Sequence, residues 1–165
     1  MYSLLQRVIT LWALLGGVLV IAIVLVTAVN VGAFTLDFSL KPFGYYVPGL
    51  PGYEDFVRLA VSAAGLSFFP YCQMKRGHVA VDLFVQALPE RLRMILDHLW
   101  LLLTVVLAIF LGYWMYEGML ETRSDGAMTA VLGWYEWPWY VPGIISMGLW
   151  ALTALMQFFG GKSHG

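Results

Sequence analysis

The feature that most constrains this chain is a long run near its N-terminus without a single charged residue. Between Arg7 and Asp37 the sequence has no Asp, Glu, Lys or Arg, and almost all residues from Val8 to Phe34 are apolar. A helix of that length, at about 1.5 Å per residue, crosses a hydrocarbon layer of roughly 30 Å with length to spare. The apolar region of a cleaved signal peptide is usually only about 7–15 residues long. We therefore expect residues 8–34 to form a membrane-spanning helix.

Three further apolar stretches follow the first one. The segment 35–52 is rich in Pro, Gly and Tyr and ends the first helix. Beyond it we expect spans at about residues 53–73, 94–120 and 137–159. The composition agrees, because 61% of the 165 residues are hydrophobic and only 12% are charged. The sequence predicts an all-α membrane protein, residues 1–165 forming a single membrane domain with four transmembrane helices.

A short amphipathic segment separates the second and third predicted spans. Val81, Phe84, Val85 and Leu88 share one face of a helix, which predicts a surface helix at about residues 79–88. Pro89 would end this helix and suits the first position of the next one, because that position needs no backbone N–H.

The positions of Lys and Arg predict the orientation. With the N-terminus inside, the inner side holds six of them and the outer loops hold two. The six are Arg7, Lys75, Arg76, Arg91, Arg93 and Lys162, and the two are Lys41 and Arg123. Short loops rich in Lys and Arg remain in the cytoplasm, so we expect both termini to be cytoplasmic. The outer loops then carry most of the Trp and Tyr residues, which suits lipid headgroups or a docking surface.

Few residues suggest chemistry. The single Cys72 excludes an internal disulfide and a zinc site built on thiolates, and the net charge of −1 suggests no nucleic acid partner. The middle of each predicted span is apolar. We expect no enzymatic activity, no cofactor and no bound metal. Two alternatives stay open, which are a self-sufficient small carrier or channel acting as a homo-oligomer and a membrane-bound enzyme subunit with a redox cofactor.

The second predicted span begins with charged residues. Glu54 and Arg58 are four residues apart and can pair on one helical face. Alternatively, a charge that enters the membrane needs a partner, and a neighbouring subunit can provide it. We expect these residues to face each other or a partner subunit rather than lipid.

Three motifs in the right order resemble a known family. They are Tyr53-Glu54-Asp55-Phe56, the junction Lys75-Arg76-Gly77-His78-Val79-Ala80-Val81-Asp82, and Leu88-Pro89-Glu90-Arg91-Leu92-Arg93. The chain resembles the DctQ-like small membrane subunit of tripartite ATP-independent periplasmic (TRAP) transporters over nearly its whole length. It departs in having Glu54-Asp55 where members often have two glutamates, and Tyr53 where Trp is usual. The candidate partner-interface or structural residues are Glu54, Asp55, Arg58, Arg76, His78, Asp82, Pro89 and Arg91.

The resemblance implies a division of labour between chains in the bacterial inner membrane. A large membrane subunit carries the sodium and substrate sites, and a periplasmic substrate-binding protein delivers the substrate. The small subunit, surrounded by membrane lipid, braces the large one during secondary active import of an organic acid. No residue of this chain selects among organic acids.

The orientation can be tested by cysteine labelling in a variant without Cys72. Single cysteines at Ser39 and Ser124 are expected to react with a membrane-impermeant maleimide added from the periplasmic side, because both lie in predicted outer loops. Protection of both positions in intact cells, with labelling only after lysis, would reverse the predicted orientation.

Overall fold

The chain folds almost entirely into helices. A computed structural model describes residues 2–75 and 89–159, and within these ranges the helices are α1 (Tyr2–Leu40), α2 (Tyr53–Ser67), α3 (Phe69–Met74), α4 (Glu90–Ser124) and α5 (Tyr140–Phe159). There are also two short 3₁₀ turns. Lys41–Phe43 directly follows α1, and Trp137–Trp139 directly precedes α5. Over these same ranges extended pairing amounts to one isolated antiparallel bridge between Met128 and Tyr135. The predicted all-α class is confirmed, whereas the predicted surface helix at 79–88 lies outside the described residues.

Three of the helical segments are long and apolar enough to cross a membrane. They are Ser3–Phe43, Met94–Ser124 and Trp137–Phe159. Their length follows from uninterrupted apolar sequence, since a helix satisfies its backbone hydrogen bonds within the segment itself.

The region predicted as the second span is not one continuous helix. α2 ends at Ser67 and α3 begins at Phe69. Pro70 explains the break, because proline has no N–H to donate to the carbonyl of Leu66 and its ring crowds that carbonyl. The Phe68 amide instead donates to Gly65 O at 3.3 Å. The segment predicted as the second span therefore consists of two helices and not one.

Side-chain contacts define how the helices run relative to one another. α1 and α2 are antiparallel, α2 and α3 together run parallel to α5, and α4 and α5 are antiparallel. For α1 and α2 the contacts are Gly16 with Ser67 and Asn30 with Leu50. For the α2–α3 pair and α5 they are Phe56 with Trp139 and Gln73 with Gln157. For α4 and α5 they are Gly112 with Met147 and Gly118 with Tyr140. The α2–α3 pair thus lies between α1 and α5, and α4 packs on the far side of α5.

The contact between α1 and α2 depends on small residues. Ala60, Ala63 and Ala64 are at most 2% exposed, and Gly16 of α1 faces them. A Cβ placed on Gly16 would lie 2.8 Å from Ser67 Cβ and 3.3 Å from Ala64 O. Small residues let helix backbones approach closely, which is how helices associate where hydrophobic burial gives no advantage over lipid.

The outward faces of α1 and α4 are apolar and uncovered by the rest of the chain. Leu14, Val18 and Leu25 on α1 are 60–63% exposed, and Leu103 and Phe110 on α4 are 55–56% exposed. Such faces in water would be an aggregation hazard, so lipid or another membrane protein must cover them.

Adjacent glycines in α1 allow a controlled test of this packing. We expect Gly16→Ala to destabilise the fold by about 1–3 kcal/mol, because the new methyl group meets a Cβ that cannot rotate away. Gly17→Ala is the matched control. A Cβ there meets nothing within 4 Å, and alanine favours a helix over glycine by up to about 1 kcal/mol. Thermal unfolding in mild detergent measures both, and equal Tm values for the two variants would contradict the close contact.

Candidate functional site

A buried carboxylate fastens the start of α2 to the segment before α5. Asp55 is 9% exposed, and its Oδ2 accepts hydrogen bonds from the backbone amides of Val131 at 2.8 Å and Leu132 at 3.0 Å. Gly52, with a φ of +76°, comes just before α2, and a Cβ at that position would lie 2.6 Å from the Leu132 side chain. The Asp55 carboxylate therefore bonds to the Val131 and Leu132 amides at a place where the backbone of Gly52 packs closely against the Leu132 side chain.

The segment that meets Asp55 is itself a folded turn. The Thr129 amide donates to Trp134 O at 2.9 Å, and the Trp134 amide donates to Thr129 Oγ1 at 3.0 Å. Gly133, with a φ of +65°, takes the left-handed conformation that other residues avoid. This local bonding presents the amides of Val131 and Leu132 side by side to one carboxylate oxygen.

Arg58 pairs with Glu136 in the structure. The guanidinium Nη2 contacts Glu136 Oε1, and the side chains of the two residues are 60% and 25% exposed, respectively. Glu54 instead accepts a hydrogen bond from the hydroxyl of its neighbour Tyr53 at 3.1 Å. Of the two alternatives for Arg58, pairing with Glu54 is not what the structure shows, because the turn after α4 brings Glu136 to the exposed side of α2; contact with a partner subunit stays a prediction.

Aromatic rings surround these polar contacts. Phe56 lies edge-on to Trp134 and Trp139 with ring centroids 6.5 and 6.4 Å apart, and the two tryptophans stack at 6.3 Å. The Arg123 guanidinium lies 5.1 Å from the centre of the Trp137 ring, a favourable cation–π geometry. We call this group the outer junction; it consists of Asp55, Phe56, Arg58, Val131, Leu132, Trp134, Glu136 and Trp139.

A second polar cluster joins α3 to the last turns of α5. Gln73 Nε2 donates to Gln157 Oε1 at 2.8 Å, and Gln157 Nε2 donates back to Gln73 O at 2.9 Å. Trp150 Nε1 donates to Gln73 Oε1 at 3.3 Å. Gln73 is only 3% exposed, so these bonds satisfy amide groups that would otherwise be costly to bury. We call these three residues the inner amide cluster.

The remaining candidate residues do not join either cluster. Pro89 lies just before α4, which begins at Glu90. Arg91 is exposed in the first turn of α4, and Arg76, His78 and Asp82 lie outside the described residues. Of the eight candidates, the structure brings Asp55 and Arg58 together in the outer junction.

The polar groups within the apolar helices are occupied by their own helices. Thr104 Oγ1 donates to Trp100 O at 2.9 Å, and Ser146 Oγ donates to Pro142 O at 2.8 Å while accepting from Trp12 Nε1 at 2.9 Å. In the ranges that the structure describes, no three His, Cys, Asp or Glu side chains converge on a possible metal position. Of these three bonds, the one between Trp12 and Ser146 joins α1 to α5, and the other two stay within a single helix.

Three important residues escaped the sequence analysis. Glu136 is a single acid within an aromatic run, and Gln73 and Gln157 are amides at the ends of apolar stretches. Their signal is that each is a strongly polar residue in an apolar setting and so needs a partner. The sequence does not say which partner.

Three helical segments that are long and apolar enough to span a bilayer point to a membrane protein. Comparison with family models identifies the family. Residues 40–162 match the model described as "Tripartite ATP-independent periplasmic transporters, DctQ component". The match covers 123 of the 165 residues, so the chain belongs to the DctQ family, the small components of TRAP transporters, and the resemblance seen in the sequence is confirmed. This is a family of transporter components and not of enzymes. Comparison with curated proteins gave no match.

The outer junction can be tested at two neighbouring acids. We expect Asp55→Ala to lower the Tm in detergent by several degrees, because two backbone amides lose their acceptor in a place where water reaches poorly. Asp55→Asn keeps one acceptor oxygen and should recover part of the loss. Glu54→Ala is the control and should leave the Tm nearly unchanged, since Glu54 is exposed and bonds only its neighbour's hydroxyl. A Tm loss from Glu54→Ala as large as that from Asp55→Ala would refute this account.

Proposed function

We propose that this chain is the bracing subunit of a sodium-coupled secondary transporter in the bacterial inner membrane. A larger membrane subunit would carry the substrate and sodium sites, and a periplasmic binding protein would deliver an organic acid. The proposal depends mainly on what the polar residues do. In the described helices they join α2 and α3 to the α5 region at the outer junction and at the inner amide cluster, and the surface between these two places is largely apolar.

The contacts along α5 support four membrane crossings. α2 and α3 together run beside α5 from Phe56, next to Trp139, to Gln73, next to Gln157. α5 with its preceding turn is long enough to cross a bilayer, so the α2–α3 pair crosses beside it. With α1 and α4 the total is four. The loops 41–52 and 125–136 then share one side, and the Lys and Arg bias supports the periplasm as that side.

The charged residues lie near the helix ends, where a coupling site would be of little use. Asp55, Arg58 and Glu117 lie at the level of Trp139 and Tyr140, and Asp97 lies next to His98, whose ring contacts Phe158 near the end of α5. Ion-coupled carriers place ionisable groups or broken helices near the bilayer midplane. The apolar middle of these helices supports a bracing role over a transport path.

The break at Phe68 is the one observation that favours a self-sufficient carrier. Broken helices can expose carbonyls to an ion. Here, however, three of the carbonyls around the break are occupied. Ala63 O accepts from Ser67 Oγ at 2.7 Å, Gly65 O accepts from the Phe68 amide, and Phe68 O accepts from the Cys72 amide at 2.9 Å. Pro70 is buried beside them. A packed break of this kind shapes the helix and offers little to a solute.

Reconstitution separates the two functions. Proteoliposomes with this chain alone are expected to show no sodium-dependent uptake of radiolabelled organic acids, whereas this chain with the large subunit and the binding protein should show uptake. Large subunit and binding protein without this chain form the matched control and should transport poorly. Robust uptake by this chain alone would establish the carrier instead, and full uptake without it would exclude a bracing role.

A further inference from the structure

α2 and the start of α3 present one continuous face that the rest of the chain leaves uncovered. Between Tyr53 and Phe69 the exposed residues recur every three or four positions, which is the spacing of one side of a helix. The buried residues of α2 lie on the other side, towards α1 and α5. We call the exposed residues the open face; they are Glu54, Arg58, Val61, Ser62, Gly65 and Phe69.

The middle of the open face is made of small residues. A Cβ placed on Gly65 would meet nothing within 4 Å, and Ser62 is exposed beside it. By contrast, the outward faces of α1 and α4 carry large apolar side chains such as Leu14 and Leu103, which are 61% and 55% exposed. Lipid tails are as apolar as leucine, whereas small residues let the backbone of a second helix approach. This chain uses the same composition where Gly16 of α1 packs on α2.

Ser62 is an exception among the hydroxyls of the helices. It lies seven residues after Asp55 and eleven before Gln73, about 10 and 16 Å along the helix axis, and so lies well inside the span. The hydroxyls of Ser67 and Thr104 donate to the carbonyl four residues earlier, but in the part of the chain that the structure describes Ser62 makes no hydrogen bond. An acyl chain offers no acceptor, whereas a polar side chain on a neighbouring helix does.

The outer end of the open face carries a net negative charge. Arg58 pairs with Glu136. Glu54, one turn before Arg58, bonds to the Tyr53 hydroxyl and to no basic group among the described residues. Two carboxylates and one guanidinium leave a charge of −1. Phospholipids are zwitterionic or anionic and bring no net positive charge, whereas a Lys or Arg of a second protein complements this surface.

We propose that the open face is covered by a transmembrane helix of the larger subunit and not by lipid. That helix has a small residue opposite Gly65, a hydrogen-bonding side chain within reach of Ser62, and a Lys or Arg opposite Glu54. The existence of the larger subunit rests on the proposed function, and the inference adds which side of this chain supports it. Because α2 and α3 bond to the α5 region at both ends, the supporting surface is held in place.

Photocrosslinking in the assembled transporter tests the contact. The photoreactive residue p-benzoylphenylalanine replaces Val61 or Phe69, which lie one turn before and one turn after Gly65 and are 52% and 41% exposed. Leu103, on the outward face of α4, is the reference position. We expect illumination of membranes that contain all three subunits to link positions 61 and 69 to the large subunit, as a product that carries both chains.

The other outcomes of this experiment are distinct. Links at position 103 alone would place the contact on α4 and overturn the inference. No link at any position, from a complex that still co-purifies, would leave lipid as the cover of the open face and overturn it as well. If the unaltered chain does not co-purify with the large subunit at all, it is the proposed function that fails.

Two substitutions at Gly65 test how closely the second helix approaches. Gly65→Ala keeps the residue small, whereas Gly65→Leu adds a branched side chain. In the chain alone both should leave the Tm in mild detergent at or above that of the parent, because the space beside Gly65 is open and glycine is a poor helix former. In the complex, Gly65→Leu is expected to lower the recovery of the large subunit several-fold, and Gly65→Ala to retain most of it. Recovery at the parent level with Gly65→Leu would overturn the proposal.

A change of charge at Glu54 tests the basic residue of the partner. Glu54→Lys is expected to lower the recovery of the large subunit several-fold, most strongly at low ionic strength, because like charges then face each other. Glu121→Lys, at another exposed acid towards the outer end of α4, is the matched control and should have little effect. An equal loss in both variants, or a loss in neither, would refute a basic partner opposite Glu54.

Discussion

The need to satisfy every polar group without water governs this structure. Helices meet that need for the backbone inside each segment, so they can be long and apolar. Side chains cannot do so alone, and in residues 2–75 and 89–159 every buried side-chain nitrogen or oxygen has a hydrogen-bond partner. Asp55 holds two amides of the turn before α5, Asn30 and Asp37 hold amides of the segment between α1 and α2, and Gln73 pairs with Gln157. Each of these bonds also joins two separate segments of the chain. The bonds that satisfy the polar groups therefore also fix the tertiary structure.

The two fastened ends account for a rigid element with bare apolar sides. The outer junction holds the start of α2 and the inner amide cluster holds the end of α3, both against the α5 region. Between these two places, Gly16 of α1 packs closely against α2, whose buried residues there are small and leave no room for long side chains. A body of this kind suits a component whose task is to support another chain, which is the role that the proposal assigns to this member of the DctQ family.

The break between α2 and α3 shows how an interruption can be structural. Pro70 ends the regular hydrogen bonding of α2, and the ring of Phe69 in α3 lies 5.2 Å from that of Trp150. The helix that begins at the break carries Gln73, which bonds to Gln157. Pro70 and the amide cluster thus belong to the same short helix.

The sequence by itself determined which segments are helical and apolar enough to span, and three motifs were enough to indicate the family that the comparison confirmed. These properties are local, since hydropathy and backbone bonding within a helix depend on neighbours in the chain. The partners of the polar residues were not accessible in this way. Arg58 has an acid four residues away and another 78 residues away, and the structure pairs it with the distant one. The choice depends on where a segment 78 residues later lies in space, and the same holds for Asp55 and Gln73, whose partners are 76 and 84 residues away. Only the tertiary structure could decide these pairings, because a polar side chain bonds to what is near in space, and one-dimensional spacing predicts nearness only within a few turns of the same helix.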